Sequence, residues 1–183
     1  SSLPTLTGFA AVRDQAARTE SAASDRATQL AEVATDCASC SAALRAVAAA
    51  SDERLEALGG LWDPWGGTPP EGASAPAAVS EAPTDVSAFV TWLARTATRD
   101  LEIAADTNRT SADEARTLSA AALGRYASAV TIAQAYGIDL DAGLDQALLI
   151  NDRVNAASRQ GVQTWSIDLF DAPAISASFA PSG

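Results

Sequence analysis

The chain has 183 residues with 23 acidic and 12 basic side chains, a net charge of −11 and no histidine. That balance excludes the basic stripe needed for nucleic-acid binding and disfavours an anionic membrane surface. At this length one domain is expected, large enough to bury roughly 70% of the surface of the unfolded chain. Aromatic residues make up 5% of the chain and alanine dominates a 48% hydrophobic fraction. The interior must therefore be built from small side chains, which lets helices pack closely. All twelve basic residues are arginine, a pattern of GC-rich coding. No apolar run approaches the roughly 20 residues of a bilayer-spanning helix. The chain opens on Ser-Ser-Leu-Pro without Met, so a segment upstream of Ser1 is expected to have been removed, either by processing, as with a signal peptide, or by trimming of the sequence.

Leu3 to Thr35 reads as the first long helix, with Phe9, Val12, Ala16, Ala23, Ala27, Leu30 and Ala34 at helical spacing. Glu20 falls on that apolar stripe. It is the candidate interior carboxylate: either a metal ligand or an acid held by arginine, the second being the commoner fate of buried charge. Asp36 is placed to cap a second helix from Cys37 to about Leu58, with Cys37, Cys40, Leu44, Val47, Leu55 and Leu58 inward and Gly59-Gly60 as the stop. Three roles compete for the CxxC spacing of Cys37 and Cys40. A thioredoxin-type redox pair lacks its αβ context, and a zinc site lacks the two further ligands it needs. A disulfide across one helical turn or two buried thiols remain, and in an oxidising compartment the bridge is expected.

Residues 59–83 cannot continue a helix, because Gly and Pro recur every few positions. Trp62 and Trp65 in Leu-Trp-Asp-Pro-Trp are candidate binding residues; the competing reading is that they seal one end of the helices. Thr84 opens a third helix with Val86, Phe89, Val90, Leu93, Ala97, Leu101 and Ala104 on its apolar face. After a break at Asn108-Arg109, Ser111 with Glu114 spells a capping box for a fourth helix, which Gly137 ends. Ala115, Leu118, Ala122, Tyr126, Ala129, Ala133 and Tyr136 line one face of it. Asp139 begins a fifth helical segment that runs to Gly161. Its Asp139, Asp141 and Asp145 read as acids at a helix N-terminus, since the glycine and closing glutamate of a calcium loop are missing. Trp165, Ile167 and Leu169 then alternate with polar residues as an extended strap. Trp165 is a third candidate interaction residue, and residues 139–170 are a candidate homodimer surface.

Two helix pairs joined by one long central connection is the order of a ferritin-like bundle, as opposed to an up-down-up-down bundle with short loops. A di-metal centre of that class needs four glutamates and two histidines, and this chain has no histidine; Ser-His-Asp and Cys-His catalytic pairs are excluded for the same reason. The stretches DCASCSAALRAVAAASDERLEALGGLWDPW, TDVSAFVTWLARTATRDLEIAADT and LSAAALGRYASAVTIAQAYG, with the Pro-rich connection between the first two, resemble exported ferritin-like domains of unknown function from GC-rich bacteria, some made as lipoproteins. The resemblance spans about residues 5–137 and carries no catalytic motif. It implies a ferritin-like fold, a location outside the cytoplasm and, for a domain made as a lipoprotein, a lipid anchor upstream of Ser1.

The expectation is thus an all-α protein: a ferritin-like four-helix bundle over residues 1–137 with one long crossover at 59–83, then a fifth helix and C-terminal strap over 138–183. The expected function is a non-catalytic, metal-free binding or structural module of the cell envelope. It would have no cofactor, no nucleic-acid partner and no transmembrane segment, and an unknown protein or small-molecule partner. A carboxylate metal-binding or oxidase relative built on Glu20, and a homodimeric interaction module, are the alternatives.

Overall fold

The computed structural model describes residues 5–73 and 79–140. Among them there are four helices and no strand: α1 (Gly8–Val33), α2 (Ala38–Ala57), α3 (Val86–Ala104) and α4 (Ala112–Tyr136). The expected fifth helix and the strap with Trp165 lie outside the described residues, apart from Asp139 and Leu140, which are not helical.

Local chemistry sets each boundary. Helix α1 starts five residues later than its periodicity suggests, at Gly8. Helix α2 is capped by Cys37 and not by Asp36: the Cys37 sulfur accepts the Cys40 backbone N–H at 3.2 Å. At its other end Gly59 and Gly60 adopt positive φ, and their N–H groups return to the carbonyls of Glu56 and Leu55. That 6→1 and 5→2 pairing is a Schellman motif, and the left-handed backbone it needs is open to glycine at no steric cost. Helix α3 begins two residues after Thr84, with the Asp85 carboxylate accepting the Ala88 N–H at 2.9 Å. The capping box of α4 is complete: Ser111 Oγ accepts from Glu114 N–H, and Glu114 Oε1 accepts from Ser111 N–H. Gly137, at φ 66°, closes α4 with a second Schellman pairing, Ile138 N–H to the Ala133 carbonyl.

Helix α1 packs on α2, α3 packs on α4, and α2 faces α4 across the interior, with thinner contacts from α1 to α3 and α4. The core divides into two apolar clusters. The larger is built around Phe89, Leu93, Leu44, Ala27, Leu123 and Ile132, the smaller around Val12, Ala16, Leu58, Ile103 and Leu118. Cluster membership gives each helix its direction. The larger cluster draws mainly on the second half of α1 and of α4 and on the first half of α2 and of α3, while the smaller one takes the opposite ends. Helices α1 and α4 therefore run one way, and α2 and α3 the other.

It follows that the link from Leu58 to Asp85 starts at the small-cluster end and finishes at the large-cluster end. Its described residues lean on α1 at two levels. Near the start, Trp62 N–H donates to Asp14 Oδ1 at 2.8 Å, and the Trp62 carbonyl accepts from Arg18 Nη2 at 3.1 Å. Near the finish, the Ala82 carbonyl accepts from Arg26 Nε at 2.9 Å. Arg18 and Arg26 are eight residues, or about 12 Å of helix rise, apart.

Alanine occupies much of the interface: Ala16, Ala23, Ala27, Ala97, Ala104, Ala115, Ala122 and Ala129 are fully buried. These small side chains come from α1, α3 and α4 and permit close approach of the helices. Any long side chain in the middle of such an interior is then forced against the neighbouring helices.

Candidate functional site

The two apolar clusters meet at a layer of charge. Each helix supplies one ionised residue at a position where its core stripe would otherwise carry an apolar side chain: Glu20 from α1, Arg54 from α2, Asp100 from α3 and Arg125 from α4. Glu20, Asp100 and Arg125 have no solvent exposure, and Arg54 has 7%.

The bonding is reciprocal. Glu20 Oε2 accepts from Arg54 Nε at 2.6 Å, and Glu20 Oε1 accepts from Arg125 Nε at 3.2 Å. Arg125 Nη1 donates to Asp100 Oδ2 at 2.8 Å, so one guanidinium bridges the two carboxylates. Asp100 is completed from the rim by Arg99, whose Nε donates to Oδ1 at 3.0 Å and whose Nη2 donates to Oδ2 at 3.2 Å and to Thr19 Oγ1 at 3.2 Å. Arg54 Nη2 donates to Ser51 Oγ at 3.3 Å and to Ser128 Oγ at 3.1 Å. Arg125 Nη2 is buried without a hydrogen-bond partner among the described residues.

Among these four buried residues charge balances, two carboxylates against two guanidinium groups, which is the condition under which ionised groups are tolerated away from water. Burial by itself pushes the Arg125 guanidinium down. The nearby charges of Glu20 and Asp100, and the hydrogen bonds to both, more than offset that and hold it above its ordinary value. Arg125 is therefore held in its cationic form. Beside it, burial raises the Tyr126 hydroxyl to about 12.

A carboxylate metal centre at Glu20 does not fit this arrangement. All four oxygens of Glu20 and Asp100 are bonded to guanidinium groups, and a cation would have to displace at least one of them. Among the described residues no group of three or more His, Cys, Asp or Glu side chains converges as a metal site would. What the layer can do is fix the register of four helices, because Glu20 reaches α2 and α4, and Arg125 reaches α1 and α3.

Of the four residues of the layer only Glu20 was expected from the sequence; Arg54, Asp100 and Arg125 were not. A signal for them was present. Leu44, Val47, Ser51, Arg54 and Leu58 hold strict helical spacing on α2, as do Leu93, Ala97, Asp100 and Ala104 on α3 and Leu118, Ala122, Arg125 and Ala129 on α4. Reading Leu55 as the inward residue hid the first of these; Leu55 is only partly buried, and the inward position belongs to Arg54.

The remaining candidates lie at the two ends. Trp62 and Trp65 are both half-buried in the link. Trp62 lines a surface hollow of about 240 Å³ together with Leu6, Ala10, Arg13, Asp14 and Leu61. Trp65 N–H and Gly66 N–H both donate to Asp63 Oδ1, which folds the LWDPW turn on itself. At the opposite end Cys37 and Cys40 form a disulfide with Cα atoms 5.2 Å apart. The two do not both point inward as the stripe suggested: Cys40 is 3% exposed, whereas Cys37, outside the first turn, is half-buried.

This chain matches no protein-family model, no curated protein and no solved structure. No helix among the described residues is long and apolar enough to cross a membrane.

Proposed function

We propose that this protein is a ferritin-like four-helix bundle that has kept the shape of that class without its metal chemistry, and that it acts as a non-catalytic binding or structural module of the cell envelope. The observation that carries this reading is the charge layer. Metal centres of ferritin-like bundles are held in the bundle core by inward-facing side chains of the four helices; here the inward carboxylates, Glu20 and Asp100, are neutralised by Arg54, Arg125 and Arg99.

The fold assignment is supported by the parallel course of α2 and α3, which requires a long connection between them, and by the bonding of that connection to α1 at Trp62 and Ala82. A place outside the cytoplasm is supported by the Cys37–Cys40 disulfide, since such bonds persist mainly in oxidising compartments. For binding, the Trp62 hollow beside Arg13 is the concave surface on offer.

The test is a titration of the purified chain with Fe(II) and Mn(II), followed by elemental analysis after gel filtration. Metal at background level is the expected result. Stoichiometric metal that is lost in Glu20→Ala would overturn the reading and put a carboxylate centre in its place.

A further inference from the structure

The Cys37–Cys40 disulfide lies at the first turn of α2, far from the charge layer, and three features of its surroundings concern the sulfur atoms in their reduced form. The first is asymmetry of access: Cys37 is half-buried and Cys40 is sealed. The second is the set of donors at Cys37. Its sulfur receives the Cys40 N–H at 3.2 Å at a helix N-terminus, and the Ser39 hydroxyl stands 3.4 Å away. A thiolate is stabilised by that combination of N–H, O–H and helix dipole. The third is on the other sulfur. The Ala135 carbonyl, from the last turn of α4, lies 3.5 Å from Cys40 Sγ. A disulfide sulfur has no proton to offer that carbonyl, but a thiol has one.

We infer that Cys37–Cys40 is a reversible thiol–disulfide exchange site, at which an external dithiol attacks Cys37 and the buried Cys40 is the leaving group. An entering thiolate bonds to Cys37 Sγ as the Cys37–Cys40 bond breaks. The bonding pair goes to Cys40 Sγ, which takes a proton from solvent and donates it in a hydrogen bond to the Ala135 carbonyl. The second thiol of the dithiol, as its thiolate, then attacks the dithiol sulfur held on Cys37. Cys37 departs as a thiolate held by the Cys40 N–H and Ser39. In sum the dithiol is oxidised to a disulfide, the protein disulfide gains two electrons, and the protons released by the dithiol pass to Cys40 and to solvent. Both products already have their hydrogen-bond partners in place, so neither direction requires the helices to move. A CxxC pair at a helix start does not need the αβ context for this; it needs one accessible sulfur that an entering thiolate can reach and that is held as a thiolate when it departs, and one sealed sulfur that the external thiol does not reach.

The experiment uses the folded full chain. The protein is equilibrated in glutathione buffers of graded thiol-to-disulfide ratio and, separately, treated with dithiothreitol, then acid-quenched, alkylated and weighed. The expected result is a reduced fraction that follows the buffer ratio reversibly, and complete reduction by dithiothreitol with an unchanged far-UV circular dichroism spectrum. In a second arm, Cys40→Ser and Cys37→Ser are exposed to glutathione disulfide, and Cys37 in the first should take up glutathione at least tenfold faster than Cys40 in the second. Mass mapping of the mixed disulfide trapped briefly in the unaltered chain reports the attacked sulfur without any substitution. Reduction only when urea unfolds the protein would make the bond purely structural. Equal uptake by the two cysteines, or trapping on Cys40, would remove the assigned roles.

Discussion

The apolar clusters and the charge layer between them are equally buried, yet they hold the protein together in different ways. Around Leu93 and Phe89 the stabilisation is spread over many small contacts and grows with the area removed from water. In the layer it is concentrated in a few bonds among Glu20, Arg54, Asp100 and Arg125, and it persists only while every charge is matched. In this alanine-rich interior each helix contributes to the charge balance, and the expectation is that such a layer adds register more than net stability.

The sharpest way to break the comparison is to remove the bridging cation. Arg125→Ala should leave Glu20 and Asp100 buried without their shared partner and cost about 3–5 kcal/mol in urea unfolding. Leu93→Ala in the larger cluster should cost about 2–5 kcal/mol through lost transfer energy and the cavity left behind. Its cost should not depend on salt or on the state of the layer. Replacing the whole layer at once, Glu20→Leu, Arg54→Met, Asp100→Leu and Arg125→Met, should by contrast be neutral or stabilising by about 1–4 kcal/mol, because the desolvation penalty disappears with the charges. Loss of a single well-dispersed amide spectrum in that variant, at unchanged helix content, is the expected sign that register was what the charges supplied. If the fourfold variant is as destabilised as Arg125→Ala, the layer is a net stabiliser and the distinction collapses.

Smaller effects lie at the margins. Ser111→Ala removes one half of the α4 capping box and should cost about 1 kcal/mol. Tyr126 gives a pH handle on the larger cluster. Its hydroxyl is raised by burial to about 12 in the folded protein, above the ordinary value of 10. A group that binds its proton more tightly when folded contributes stability that is fully present below pH 10 and is lost as the pH rises from 10 toward 12. Alkaline denaturation curves of the parent chain and of Tyr126→Phe should therefore diverge only in that window. Coincident curves would mean the hydroxyl is not held in its neutral form.

Much of the secondary structure was legible because its signals are local. Ser111 with Glu114, and the glycines at 59, 60 and 137, act within one helical turn, so the sequence places them without knowing what the helices pack against. The break between Gly59 and Pro83 is a matter of backbone chemistry in the same way. Glu20 was visible as a charge on an apolar stripe for an equally local reason. Its meaning was not, since a carboxylate facing inward is compatible with a metal or with an arginine.

What only the tertiary structure decided is which residues share a level of the interior. Glu20 and Arg125 are separated by 105 positions in the chain and meet because α1 and α4 bring both to the level between the two apolar clusters. Arg54 takes the inward place in preference to its neighbour Leu55, because Glu20 stands there to receive it. Hydropathy gives that place to the leucine, although the spacing from Val47 and Ser51 points to Arg54. The same holds for the cysteines: spacing brings Cys37 and Cys40 within bonding reach, whereas the difference in their exposure is set by where α2 begins and by the last turn of α4 packed over Cys40. Local propensity determined the helices of this protein, and the pairing of distant charges determined how their faces are aligned.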